Sequence, residues 1–148
     1  MREKNLFHRA SFIILKNDKN QIYCHLRHKN KKWAPHHWTV CFGGVVGEGE
    51  NYQSNAEKEL LEEAGIKAPL KEISTFCYSE EGKNRVWGMI FEVKYNGKLK
   101  LQEEECEEYK LMTIPEIEAD MTKNKWAEDA AEALKSYLIY LQENNLEY

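Results

Sequence analysis

Residues 44–66, GVVGEGENYQSNAEKELLEEAGI, run from a glycine-rich turn into a helix-forming segment that carries Glu59, Glu62 and Glu63 as E-x-x-E-E. Side chains three and four apart stack on one helical face, so at about 100° per residue these carboxylates span an arc of roughly 100°. Ala56, Leu60, Leu61 and Ala64 fall on a different arc and are expected to enter a core. Such a segment reads as a helix with one core-facing side and one acidic side. It needs a packed partner for one face, and water or a cation for the other. Three like charges so spaced repel by a few tenths of a kcal/mol per pair in an isolated helix, and a bound divalent ion would reverse that cost. All-oxygen ligands select Mg²⁺ or Mn²⁺ over zinc, which favours His or Cys. The plainer alternative is a solvated acidic face.

The surrounding spacing decides between them. From Gly44 the chain reads G, five residues, Glu50, seven residues, Lys58, Glu59, Leu60, one residue, Glu62, Glu63, one residue, Gly65, Ile66. This resembles the Nudix box, G-x5-E-x7-R-E-U-x-E-E-x-G-U with U apolar, at every defined position but the arginine, which is Lys58. The resemblance implies a Nudix fold and a metal-assisted pyrophosphate hydrolase. It places Gly44, through its carbonyl, with Glu59, Glu62 and Glu63 around Mg²⁺ or Mn²⁺, and gives Glu50 and Lys58 a structural role inside the box. Local signals agree: Glu50 and Asn51 suit a helix start, and Gly65 suits a left-handed C-terminal cap.

At 148 residues the chain is expected to form one domain, 1–148, with a core of its own. A composition of 42% hydrophobic and 31% charged residues with a net charge of −4 gives no general attraction to nucleic acid or to an anionic membrane. No apolar run has transmembrane length and the start MREKNLFHRA has no signal-peptide core, so a cytoplasmic protein is expected. Cys24, Cys41, Cys77 and Cys106 lie far apart without a C-x-x-C pair, which reads as strand thiols and not as zinc or disulfides.

Residues 9–16 and 21–27 read as a hairpin around Asn17–Asn20. The next stretch, RHKNKKWAPHHWTVCFGG, mixes basic residues with tryptophan and histidine. Such a mixture can bind single strands of nucleic acid, but it is short and the chain is acidic. Arg27 and Lys31 fit better as cationic clamps on substrate phosphates, with His36 and His37 as candidate pocket residues. R-x3-K followed by Trp, Pro and Trp-Thr is similar to the isopentenyl diphosphate isomerases and the bacterial hydrolase-like proteins near them. There the residues at the places of Arg27 and Lys31 contact diphosphate.

After the box, 72–79 and 85–95 read as strands around a turn at 80–84, with Gly88 marking a bulge or a close backbone approach. In LQEEECEEYKLM most glutamates read as a solvated loop before a short strand. Nudix enzymes often take one further carboxylate from this region, for which Glu105 is the first choice and Glu108 the second. Pro115 suits the start of a short helix, and from Lys125 to about Asn144 apolar residues recur at three- and four-residue steps. The order of elements implies an α/β architecture, a mixed β-sheet sandwiched between α-helices.

The expected reaction is hydrolysis of a phosphoanhydride bond in a nucleoside diphosphate linked to X, with Glu59 or Glu105 as the base. A small-molecule diphosphate is the expected partner, with no nucleic acid and no membrane, and a homodimer stands as an option. Two alternatives remain. An isopentenyl diphosphate isomerase would place its cysteine where Phe42 stands, one position from Cys41, its E-x-E where Lys83-Asn84-Arg85 stands, and its metal histidine where Gly44 stands. A catalytically inactive nucleotide sensor would usually have lost box glutamates, and none is lost here.

Overall fold

The computed structural model describes residues 7–80 and 84–148. Residues 1–6, read above for a leader, and Glu81-Gly82-Lys83 of the expected turn lie outside the described residues. In chain order the elements are β1 (His8–Lys16), β2 (Ile22–Arg27), β3 (Trp38–Thr39), α1 (Tyr52–Ala64), β4 (Lys71–Glu80), β5 (Asn84–Lys94), β6 (Cys106–Met112), α2 (Ile114–Asp120) and α3 (Glu128–Glu143).

The expected hairpin forms, then opens. Among the described residues β1 and β2 pair only at the turn end, Lys16 opposite Ile22. From there β1 runs parallel to β5 along its length, and β5 pairs antiparallel with β4. β2 instead pairs antiparallel with β3 and β6. The edge of β1 left free by this divergence is filled by the loop before α1. Ile13 and Phe42 exchange backbone bonds at 2.7 and 3.0 Å, the Ser11 N–H donates to the Gly44 carbonyl at 3.0 Å, and the Val46 N–H donates to Arg9 at 2.8 Å. The box loop is thus wedged into the mouth of a split sheet, and buried backbone groups that divergence would leave unpaired are satisfied.

Apolar side chains alternate along the strands, so the sheet has a core on each face. On one, Ile13, Leu15, Phe91 and Val93 meet Ala56, Leu60 and Ala64 of α1. On the other, Phe12, Ile14 and Ile90 meet α2 and the Ala130, Ala133, Leu134, Tyr137 and Leu141 stripe of α3. This is the helix–sheet–helix sandwich expected. α1 is capped by Asn51, whose side chain accepts from the Ser54 N–H in a capping box, and it ends on Gly65 at φ 72°. Thr113 and Glu116 make a second capping box on α2, with Pro115 in its first turn.

Four details differ from the sequence reading. Leu61 is exposed and Glu63 is buried. The core arc centres on Leu60, from which Glu63 lies about 60° round the helix and Leu61 about 100°. Gly88 is neither bulged nor approached by backbone: a β-carbon there would stand 2.4 Å from the Phe76 ring and 2.9 Å from the Phe12 ring, while the irregularity falls between Glu72 and Ser74 of β4. The last helix starts at Glu128 and not at Lys125, because Trp126 is taken up in a bridge to Trp38 that brings the rings to 6.2 Å. All four cysteines are free thiols; Cys24, Cys77 and Cys106 lie in strands as expected, but Cys41 follows β3.

Candidate active site

α1 presents its glutamates at three depths. Glu62 is exposed, Glu59 half-buried, and Glu63 only 9% exposed. The Gly43 N–H donates to Glu63 Oε1 at 2.7 Å. Burial pushes the Glu63 carboxyl up to about 8; the Gly43 N–H opposes this, the charges on Glu59 and Glu105 add to it, and Lys31 opposes it. Glu59 is also raised, first by burial and then by Glu62. Its carboxylate lies against Gly44, where a β-carbon would stand 2.9 Å from Oε1.

The loop that carries these glycines is pinned from both sides. The Ser11 hydroxyl donates to Asn55 Oδ1 at 2.5 Å, and Asn55 Nδ2 donates to the Val45 carbonyl at 3.0 Å. Asn55 is fully buried, so β1, the loop and α1 share one satisfied polar contact. At the outer end Lys58 pairs with Glu50 at 3.3 Å, as the box resemblance implies. Glu50 also accepts the Gly47 N–H at 2.8 Å. That backbone bond first, and Lys58 second, hold the Glu50 carboxyl below its usual range.

Glu59, Glu62, Glu63 and Glu105 line one cleft of about 600 Å³, together with Arg27 and Lys31. The sequence candidates therefore meet, although they come from α1, the strand β2 with the loop after it, and the segment before β6. Two of them carry contacts that spacing does not reveal. The Arg27 guanidinium donates through Nη2 to the Trp33 carbonyl at 2.8 Å and through Nε to the Trp33 and Ala34 carbonyls at 3.2 Å. It braces the loop as well as facing the cleft. Lys31 Nζ pairs with Glu105 Oε2. The Gly44 carbonyl accepts from the Ser11 N–H, and a carbonyl oxygen has a second lone pair.

Glu108 is exposed on β6 opposite Leu26 and is not among the cleft residues. His36 faces a separate groove and lies 3.1 Å from Glu107 Oε2, while His37 Nδ1 lies 2.8 Å from the Pro35 carbonyl. Neither histidine lines the carboxylate cleft. A recess of about 90 Å³ continues from it past Gly43 and Gly44 to Cys41 and Asp129. Burial pushes the Cys41 thiol well above its usual range, so it stays neutral. Gln102 and Trp33 also line the cleft; Trp33 belongs to the R-x3-K, Trp, Pro pattern of the sequence, whereas no spacing marks Gln102.

The donor set suits a hard divalent cation. Glu63 is a buried carboxylate with one N–H donor and like charges around it, and a divalent cation is the partner that would let it ionise at neutral pH. Among the described residues no three His, Cys, Asp or Glu side chains already stand together as a ready ion site.

Comparison with known proteins agrees with this geometry. The NUDIX domain model matches residues 6–136. An uncharacterized Nudix hydrolase of Pseudomonas aeruginosa, PA4841, is 34% identical over 140 residues, covering 93% of this chain and 82% of the relative. One of Yersinia pestis is 36% identical over 146 residues, covering 98% and 77%. The crystal structure of the MutT protein from Methanosarcina mazei Go1 superposes with a TM-score of 0.78 at 18% identity, covering 95% of this chain and 97% of that one, which speaks for the fold. The chain belongs to the Nudix family. It is accordingly a hydrolase of the pyrophosphate-cleaving kind, in a family that generally uses a divalent metal. Among the described residues no helix is long and apolar enough to cross a membrane.

Proposed function

We propose that the protein is a single Nudix hydrolase domain over 1–148 that cleaves a phosphoanhydride bond in a nucleoside diphosphate linked to a second group, with Mg²⁺ or Mn²⁺ as cofactor, in the cytoplasm. The observation that carries this reading is the cleft in which Glu59, Glu62, Glu63 and Glu105 stand with Arg27 and Lys31. Glu59, Glu62, Glu63 and the second lone pair of the Gly44 carbonyl would hold the ion. What the ion supplies when bound is neutralisation of phosphate charge and a lower pKa for an attacking water.

The remaining work falls to the chain. Arg27 and Lys31 orient the diphosphate by charge-assisted hydrogen bonds, and Arg27 does so from a fork already fixed by the loop carbonyls. Glu59 or Glu105 takes the proton of the water as its oxygen attacks phosphorus. The anhydride P–O bond breaks, and the leaving phosphate carries away the bonding pair. Glu50 and Lys58 hold the loop to the helix and touch no substrate.

The test is formation of nucleoside monophosphate, with the second phosphomonoester, over a panel of nucleoside diphosphate derivatives, beside isopentenyl diphosphate, with Mg²⁺ or Mn²⁺. Turnover of a nucleotide is expected. Proton exchange on isopentenyl diphosphate would instead support the isomerase, and tight nucleotide binding without turnover would support the sensor.

A further inference from the structure

The segment 28–36 is fastened to the start of β6 by contacts of two kinds. The His28 N–H donates to the Glu105 carbonyl at 2.9 Å and the Lys31 N–H to the His28 carbonyl at 3.1 Å. These fix the backbone. The Lys29 N–H donates to Glu107 Oε2 at 3.0 Å, and His36 Nδ1 stands 3.1 Å from the same oxygen. Within this frame one side-chain pair, Lys31 with Glu105, reaches into the cleft that holds Glu59, Glu62 and Glu63.

This pair ties the residue proposed above to orient the diphosphate to one proposed above to take the proton of the water. The side chains are 29% and 33% exposed, so the pair is neither sealed in the core nor strongly held. Its ammonium sits on a flexible four-carbon stem, and its carboxylate lies within electrostatic range of both Glu59 and Glu63. Lys31 therefore acts as an internal counter-ion for the acidic face of the cleft.

We infer that Lys31 and Glu105 exchange partners during the reaction cycle: arrival of the divalent cation draws Glu105 toward the carboxylate cluster and releases the Lys31 ammonium to the substrate diphosphate. The inference rests on the metal-dependent reading above. It adds an order, metal before substrate, because the residue that grips phosphate is held by a carboxylate until the ion competes for it. The exchange moves side chains alone, since backbone bonds anchor both residues. It also gives Lys31 opposite effects on the two ligands. It competes with the metal and binds the substrate.

The experiment is Mn²⁺ titration by calorimetry on the full chain without substrate, beside steady-state kinetics, for wild type, Lys31→Met, Lys31→Arg, Glu105→Gln and the Lys31→Met/Glu105→Gln double variant. Lys31→Met is expected to tighten Mn²⁺ on the order of three- to tenfold while raising KM. Lys31→Arg, which holds a carboxylate with a two-pronged fork, is expected to weaken Mn²⁺. The gain from Lys31→Met should shrink in the Glu105→Gln background, because it acts through that carboxylate. Mn²⁺ affinity unchanged or weakened in Lys31→Met overturns the exchange, as does an equal gain in both backgrounds, which would mean general charge removal. Absence of Mn²⁺ binding to the wild type would overturn the metal-dependent reading itself. Thermal melts of each variant separate these results from loss of fold, and the Arg variant retains the charge should the Met variant fail to fold.

Discussion

Lys58 stands where the Nudix box has arginine, and its contact with Glu50 at 3.3 Å shows what the exchange retains. A lysine supplies a point charge with rotatable donors, whereas arginine would hold the carboxylate through a planar fork. Lys58 also feels the charges of Glu59 and Glu62, so it lies between the structural pair and the proposed ion ligands. Lys58→Arg is expected to raise kcat several-fold by fixing Glu59 more firmly, and Lys58→Ala to lower it. Steady-state kinetics with thermal melts check this. Parental kcat and melting temperature in Lys58→Ala would make the residue a solvated helix charge. The Lys58–Glu50 partnership was legible only through the box resemblance, in which these two positions pair. The sequence does not show that Arg27 bonds the Trp33 carbonyl or that Lys31 pairs with Glu105, since the second of these contacts spans 74 positions.

At the scale of elements, the site depends on β1 and β2 separating so that the box loop can enter. Gly43 is the tightest point of that insertion. Its φ of 132° suits glycine, and a β-carbon there would stand 2.0 Å from the Ser11 carbonyl oxygen. Gly43→Ala is therefore expected to lower stability by more than the roughly 1–3 kcal/mol of backbone strain alone, and to loosen Glu63 from the Gly43 N–H. Chemical denaturation with Mn²⁺ affinity measured alongside tests both. An unchanged unfolding midpoint would mean that the loop can back away from β1. The limits of α1 were legible because caps are local signals, Asn51 at the start and Gly65 at the end; the Ser54 half of the capping box came only with the structure. The splitting of the hairpin was not, because the partner that draws β1 away is β5, far along the chain. The burial of Glu63 was equally hidden. Periodicity gives the direction of a side chain but not where the covering sheet ends.

For the whole molecule, the buried titratable group that matters most for acid stability is His25, whose ring stacks on Phe42 at 4.3 Å. Burial first, and then the charges of Arg27 and Lys31, push the His25 imidazole down to about 3. A depressed imidazole contributes stability that is complete above the unfolded value near 6.5 and is lost as pH falls from there toward about 3. At pH 5 the loss should be about 2 kcal/mol. His25→Phe, which can keep the stack, is expected to remove that part of the acid sensitivity. Denaturant midpoints at pH 7 and pH 5 for both proteins decide, and equal acid losses would place the sensitive group elsewhere. The overall α/β/α layering was readable from the order of elements, and so was the family from the box. Which sheet edge the box loop fills, and which cations face its glutamates, follow only from long-range pairing.

Under the proposed function the acidic face of α1 binds a divalent ion, and phosphoanhydride cleavage needs that ion. Glu63→Gln tests it most directly, because Gln is close to the neutral carboxyl that burial favours in the ion-free protein. Nucleoside monophosphate formed from a nucleoside diphosphate derivative, measured against Mn²⁺ concentration for wild type and Glu63→Gln, should show metal-dependent turnover in the first and nearly none in the second. A melt in chelator should show the variant equally or more stable. Wild-type turnover that persists in chelator, or a Glu63→Gln variant as active as the parent at low Mn²⁺, would contradict it.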